Sequence, residues 1–136
     1  MRELVEKILA PHVDIAPTGR VKRAEIEGSD VAIGGEAVTS LALVLHELAT
    51  NAAKYGAFSN SNGSLHISWQ VEQGELSLIW AERGGPTIAG PPAREGFGSV
   101  LARRSIIGQL GGQLLFDWKS EGLTVRLTAK AGRLVR

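Results

Sequence analysis

Leu45-His46-Glu47-Leu48-Ala49-Thr50-Asn51-Ala52-Ala53-Lys54-Tyr55-Gly56 is the stretch on which the reading of this chain turns. Upstream and through it, Val38, Leu41, Ala42, Leu45, Leu48, Ala49 and Ala52 recur at three- and four-residue steps, the period of an amphipathic helix. The helix is expected from about Glu36 to Tyr55, with Gly56 as its left-handed stop. Glu47, Asn51 and Lys54 follow at i, i+4 and i+7, which places a carboxylate, an amide and an ammonium on one stripe. A carboxylate can activate a hydroxyl or water, an amide oxygen can ligate a hard cation, and an ammonium can meet a phosphate. Together they suggest a magnesium–nucleotide site, although such spacing alone more often marks a solvated helix face.

Composition narrows the setting. A chain of 136 residues is one domain with enough material for a core. Hydrophobic content of 43% and a net charge of +1 suggest neither disorder nor a nucleic-acid platform. No apolar run is long enough to span a bilayer and no signal peptide is present, so no membrane contact is expected of this domain. The absence of cysteine excludes disulfides and thiolate metal sites, and His12, His46 and His66 lack zinc spacing. A reducing cytoplasm fits this composition.

The segments around the long helix alternate in character. Arg2 to Ala10 reads as a short helix, and Pro11 and Pro17 bracket a loop. Arg23 to Glu27 and Val31 to Ile33 read as strands, and Ser59 to Gly63 as a polar turn. Leu65-Ile67-Trp69-Val71 and Leu76-Leu78-Trp80 alternate about Gln73-Gly74, a β-hairpin signal. Arg83 to Phe97 holds three of the five prolines and reads as a long loop of the kind that serves as a lid. Ser99 to Leu110 is helical and ends at Gly111-Gly112. Leu114-Phe116-Trp118 and Leu123-Val125-Leu127 form a last hairpin around Glu121-Gly122. The hairpins predict an α/β two-layer sandwich: a mixed, mostly antiparallel sheet with helices packed on one face. Residues 1–12 are expected to be a link from a preceding domain, 13–130 the domain itself, and 131–136 a loose basic tail.

Two glycine segments bear on the nucleotide reading. In Trp80-Ala81-Glu82-Arg83-Gly84-Gly85-Pro86, Glu82 stands where chain leaves sheet, and Gly84 and Gly85 let backbone approach a flat ligand. A carboxylate there can accept from an exocyclic amine such as that of adenine; the plainer alternative is a charged strand end before a turn. In Gly96-Phe97-Gly98-Ser99-Val100-Leu101, glycines open a helix whose free amides and dipole suit phosphate. Leu101 replaces the third glycine of a dinucleotide fingerprint and no strand precedes, which disfavours a Rossmann site; no Gly-Lys-Ser/Thr exists for a P-loop.

These residues, in this order, resemble the catalytic and ATP-binding domain of bacterial sensor histidine kinases, which have the Bergerat (GHKL) ATP-binding fold. The resemblance is greatest to the HWE subfamily, named for a histidine in the N box and a Trp-x-Glu in the first G box; here these are His46, Trp80 and Glu82. His46 through Ala57 match the N box, Trp80 to Pro86 the first G box, and Gly96 to Leu101 the second. The resemblance implies that Asn51 binds Mg²⁺, that Lys54 and Tyr55 flank the nucleotide, and that Glu82 reads the adenine amine where most histidine kinases use aspartate. It implies room for adenine at Gly84 and Gly85, and a phosphate cradle from Gly96, Phe97, Gly98, Ser99 and Leu101. It makes Glu47 a base or an organiser of water and metal near the transferring phosphate, with His46 beside it. Thr124 is a further candidate for contact near adenine. Val100 stands where a basic residue is expected in this subfamily, with Arg103 or Arg104 as substitutes.

The implied function is that of the catalytic domain of a two-component sensor kinase. It would use ATP and Mg²⁺ to phosphorylate a histidine on a dimerisation domain that the chain does not carry, ahead of a response regulator. Competing readings are a serine kinase or ATPase on the same fold, and a non-catalytic nucleotide-binding interaction module. His46-Glu47-Leu48 also resembles a phosphoacceptor box, in which an acidic residue follows the acceptor histidine on a helix. Against that stand the single long helix, the missing proline and the continuation into an N box. Trp69, Trp80 and Trp118 are expected to pack or cover the sheet rather than bind ligand.

Overall fold

The computed structural model describes residues 1–12, 24–59, 63–86 and 97–135. Its elements are α1 (Arg2–Leu9), β1 (Ala24–Gly28), α2 (Gly35–Lys54), β2 (Ser64–Glu72), β3 (Glu75–Arg83), α3 (Phe97–Leu110), β4 (Gln113–Lys119) and β5 (Gly122–Lys130). Short 3-10 turns at Ala57–Ser59 and Ala131–Arg133 follow α2 and β5.

The strands form one sheet in the order β1-β2-β3-β5-β4. Only β1–β2 is parallel; the other three pairings are antiparallel. A parallel neighbour needs a crossover, and α2 supplies it between β1 and β2. Alternation along the strands sorts the faces. Leu65, Ile67, Trp69, Leu76, Leu78, Trp80, Val125 and Leu127 are buried, and they share a core with Leu41, Val44, Leu45 and Leu48 of α2 and Ile106 and Leu110 of α3. Their alternate neighbours, among them His66, Ser68, Ser77 and Arg126, turn to the open face. The expected two-layer sandwich is therefore the fold.

The β2–β3 hairpin turns where the pattern placed it. Gln73 and Gly74 both have positive φ (51° and 77°), the backbone of a two-residue turn whose twist matches the strands. Ala131 N–H donates to the Gly74 carbonyl at 2.9 Å and fastens that turn to the end of β5.

Four expectations are corrected. Val31 to Ile33 is not a strand. Its backbone makes isolated tertiary bonds instead of a ladder: Val31 O accepts from the Met1 ammonium at 3.0 Å, and the next residue, Gly34, donates its N–H to Leu134 O at 2.6 Å. The segment 131–135 is not loose, because that bond and the burial of Leu134, 2% exposed, dock it against the fold. Helix α3 starts at Phe97, two residues before Ser99. Segment 1–12 is more than a link, since Val5 and Leu9 of α1 belong to the core and the His12 ring stacks on Phe58, with ring centroids 6.0 Å apart. The Pro17 loop, most of the 83–97 loop and Arg136 lie outside the described residues.

Candidate functional site

The site assembles where α2 ends against the far end of β3. At the helix C-terminus, Tyr55 N–H bonds Asn51 O at 2.8 Å and Gly56 N–H bonds Ala52 O at 3.1 Å. The following amide, Ala57 N–H, has left the helical ladder and donates instead to Glu82 Oε1 at 3.0 Å. From two residues back on β3, Trp80 Nε1–H donates to Glu82 Oε2 at 2.9 Å. Both oxygens of the carboxylate are thus engaged by neutral donors. Glu82 is 3% exposed, and burial raises its pKa above the ordinary carboxylate value, opposed by the Ala57 and Trp80 hydrogen bonds. Each oxygen keeps a further lone pair, so the group can still accept from a third donor.

Glycine is required at the contact. A Cβ at Gly56 would fall on Glu82 Oε1, and one at Gly85 would come within 2.9 Å of Ala57 N. The Gly84-Gly85 corner after β3 therefore closes directly on the end of α2, so the N-box and first G-box residues form one unit.

The second half of the site lies a turn or two earlier on α2. Glu47 and Asn51 line a shallow recess with Val44, Leu48, Ser99, Ala102, Leu114 and Phe116. Ser99 Oγ–H donates to Glu47 Oε1 at 2.9 Å, joining the N-terminal turn of α3 to α2. A Cβ at Gly98 would land on the same carboxylate. Hydroxyl, carboxylate and amide here are polar groups suited to phosphate and a hard cation. Among the described residues no cluster of three or more histidines or carboxylates could hold a metal by itself. A Mg²⁺ ion does not need one, because it favours one or two protein oxygens together with nucleotide phosphates, and the Asn51 amide beside Glu47 fits that demand.

The predicted residues divide. Glu47, Asn51, Gly98 and Ser99 come together at one end, and Glu82, Gly84 and Gly85 at the other, bridged by α2. Lys54 and Tyr55, the latter 68% exposed, stand at the open C-terminal turn between them. His46 is exposed, one position off the Glu47 stripe, and Leu101 on α3 is partly exposed, at 39%. Phe97 opens α3 by its backbone, whereas its side chain and Gly96 lie outside the described residues. Thr124 is not brought in. It pairs with Ala81, and strand alternation sends both to the open face, away from Glu82. A wider cleft of about 460 Å³ also opens on that face, between Glu25, Ser64, His66, Ala81 and Arg83, and contains no predicted site residue. The chemistry, not the volume, identifies the site.

Sequence reasoning missed Trp80 and the Ala57 amide as parts of the site. Trp80 was expected only to pack, and it is fully buried, yet its indole nitrogen is a ligand of Glu82. The available signal was the i, i+2 spacing, which puts both side chains on one face of a strand.

A mixed sheet with its helices on one face, a buried carboxylate at the end of a central strand and a polar stripe on the crossing helix defines a nucleotide-binding domain of the Bergerat, or GHKL, class. No protein-family model matches the chain. The chain is 39% identical over 109 residues to blue-light-activated histidine kinase 1 of Erythrobacter litoralis, covering 79% of this chain and 30% of that protein. It is 41% identical over 107 residues to the blue-light-activated histidine kinase of Rhizobium johnstonii, covering 76% and 30%. It thus spans under a third of the length of these curated relatives. Among solved structures, the histidine kinase domain of the Erythrobacter litoralis blue-light-activated kinase superposes with a TM-score of 0.72 at 21% identity, covering 98% of this chain and 60% of that one. The catalytic domain of histidine kinase ThkA superposes with a TM-score of 0.66 at 17% identity, covering 96% and 92%. The chain is a GHKL-type histidine kinase domain, and His46, Trp80 and Glu82 are consistent with the HWE group.

Proposed function

We propose that this domain binds Mg-ATP and delivers its γ-phosphate to a histidine on a separate helical dimerisation domain, as the catalytic part of a two-component sensor kinase. The observation that carries the reading is the doubly held carboxylate of Glu82 beside the α2 terminus. It is a fixed, buried acceptor, suited to the exocyclic amine of adenine and unsuited to the guanine carbonyl. Asn51 would hold Mg²⁺ against the phosphates. Lys54 and Tyr55 would flank the nucleotide, and Gly84 and Gly85 would leave room for its base. Gly96, Phe97, Gly98, Ser99 and Leu101 would form the phosphate end. Glu47 would orient the acceptor nitrogen or a water at the γ-phosphate, with His46 next to it on α2. Phosphoryl transfer depends mostly on positioning and charge, so the acceptor must be brought in line from outside the nucleotide pocket.

The solved complex of histidine kinase ThkA with response regulator protein TrrA supports a downstream response regulator here as well. No described helix is long and apolar enough to cross a membrane. We place the domain in the cytoplasm, where ATP and regulators are found. The phosphoacceptor reading of His46 is disfavoured because α2, together with α3, packs its apolar face onto the sheet and shares one core with it, rather than forming a free-standing helical hairpin.

Calorimetric titration with Mg-ATP and Mg-GTP tests the binding half. Preference for ATP by at least about tenfold is expected, since an unmatched buried polar group costs ~1–3 kcal/mol. Incubation with labelled Mg-ATP tests the transfer half. The chain alone should acquire no acid-labile phosphate, and a separately supplied dimerisation hairpin should become labelled. Stoichiometric label on His46 would reinstate the acceptor reading. Transfer to serine would favour the serine-kinase alternative, and absence of nucleotide binding the interaction module.

A further inference from the structure

We propose that Trp80 is a positioning residue that sets base selectivity, its indole N–H holding the Glu82 carboxylate in the orientation that accepts an exocyclic amine. The proposal deepens the adenine reading above and rests on it.

A glutamate at a strand end is a poor ruler by itself. Its three side-chain torsions let the carboxylate swing through several rotamers, and a swinging acceptor cannot distinguish an amine from a carbonyl. Here each oxygen has its own fixed donor: Ala57 N–H at 3.0 Å on Oε1 and Trp80 Nε1–H at 2.9 Å on Oε2. Two donors on two oxygens define the plane of the group as well as its position. The remaining lone pairs then have fixed directions, which is the requirement for reading a base edge. Neither donor can drift. Ala57 is anchored by the end of α2, and the Trp80 ring is fully buried in the core of the sheet.

The indole also keeps the group an acceptor. Burial favours the protonated form of Glu82, and the Trp80 hydrogen bond works against it. Without Nε1–H, Oε2 becomes an unpaired buried acceptor, relieved most simply by taking a proton. A protonated carboxyl donates from that oxygen, and a donor suits a carbonyl at the purine 6-position. Loss of the indole nitrogen should therefore weaken the amine-bearing base and spare, or favour, the carbonyl-bearing one. No purely structural role of a tryptophan makes that distinction.

The test is the ratio of dissociation constants for Mg-ITP and Mg-ATP, which differ at the 6-position and in the proton its carbonyl brings to N1, measured by calorimetry on the native chain and on Trp80→Phe. Because phenylalanine is smaller and its cavity could unfold the domain, a second variant carries a benzothienyl-alanine at position 80, which keeps the ring shape and replaces N–H by sulfur. The native chain should prefer ATP by at least about tenfold, and both variants should reduce the ratio to about threefold or less, chiefly by weakening ATP. A native preference that survives in the folded benzothienyl variant, with both nucleotides weakened alike, would overturn the role of Trp80 and leave the adenine site standing. No preference in the native chain would overturn the adenine reading and this proposal with it.

Discussion

Ser99 and Glu47 lie 52 positions apart in the chain and are joined by a 2.9 Å hydrogen bond from hydroxyl to carboxylate. The bond ties the first turn of α3 to the middle of α2. It also engages, before any nucleotide arrives, the carboxylate proposed to act at the γ-phosphate. The contact leads to the first prediction.

Glu47→Gln keeps an amide oxygen that can accept from Ser99, so the α2–α3 tie and the fold should persist. ATP affinity should stay within about threefold of native. Transfer to a supplied dimerisation hairpin should fall by roughly 10²–10⁴, the usual contribution of a positioned base. Labelled transfer measured at saturating ATP decides the matter; an undiminished rate removes Glu47 from the chemistry.

Asn51→Ala removes the one hard amide ligand of the recess. Mg²⁺ should strengthen ATP binding by native protein and do so far less in the variant, because the metal then retains water at that position. Titrations with and without EDTA measure the difference. Equal metal dependence in the two proteins would reject the assignment.

Glu82 should give opposite pH trends in stability and in binding. Its folded pKa lies above the ordinary value of 4.5, raised by burial, so its contribution to folding is fully present below that value and is lost as pH rises through the folded pKa. The stability advantage of native protein over Glu82→Ala should therefore be larger at low pH than at neutral pH, by chemical denaturation. ATP needs the ionised acceptor, so its affinity should instead fall as pH drops through that same raised pKa. Parallel trends would contradict the role given to the carboxylate.

Gly56→Ala places a methyl group on Glu82 Oε1, and within 3.1 Å of the Ala52 Cα, at a backbone position whose φ does not itself demand glycine. The displaced carboxylate should lose at least one of its two donors, at a cost of ~1–3 kcal/mol in unfolding free energy. ATP affinity should drop about tenfold or more. A variant that is less stable but binds ATP normally would separate the packing of Gly56 from the site.

The parts legible in the sequence are those with a strong period or an obligatory turn residue. The 3.6-residue repeat from Val38 to Ala52 fixed α2 to within a residue or so, and Gln73-Gly74 located the hairpin. Glu82, Asn51 and Glu47 stood out because polar groups at interrupted apolar periods are conspicuous. What stayed hidden depends on distance in space. Val31 to Ile33 is as apolar as a strand, but the Val31 carbonyl is taken by the Met1 ammonium and the following Gly34 amide by Leu134, residues remote in sequence. The basic residues near the C-terminus suggested a loose tail because a single buried leucine, Leu134, carries too little pattern to announce itself. Thr124 entered only through the family resemblance, and its pairing with Ala81 puts it on the side of the sheet away from Glu82. Trp80 was hidden for another reason: hydropathy registers its ring and ignores the nitrogen that matters.

The two bonds that displaced the expected strand have an engineering consequence. Residue 1 touches Val31 and residue 134 touches Gly34, three positions further on, a separation that extended chain covers in about 10 Å. Residues 1 and 134 therefore lie near one another, as in domains that tolerate permutation and insertion. A version reopened in the two-residue Ser120-Glu121 turn between β4 and β5, with residues 135 and 1 joined by a short Gly-Ser bridge, should keep the Glu82 and Glu47–Asn51 arrangement. By the same geometry, residues 1–135 inserted into a surface loop of an unrelated host should keep the fold described above.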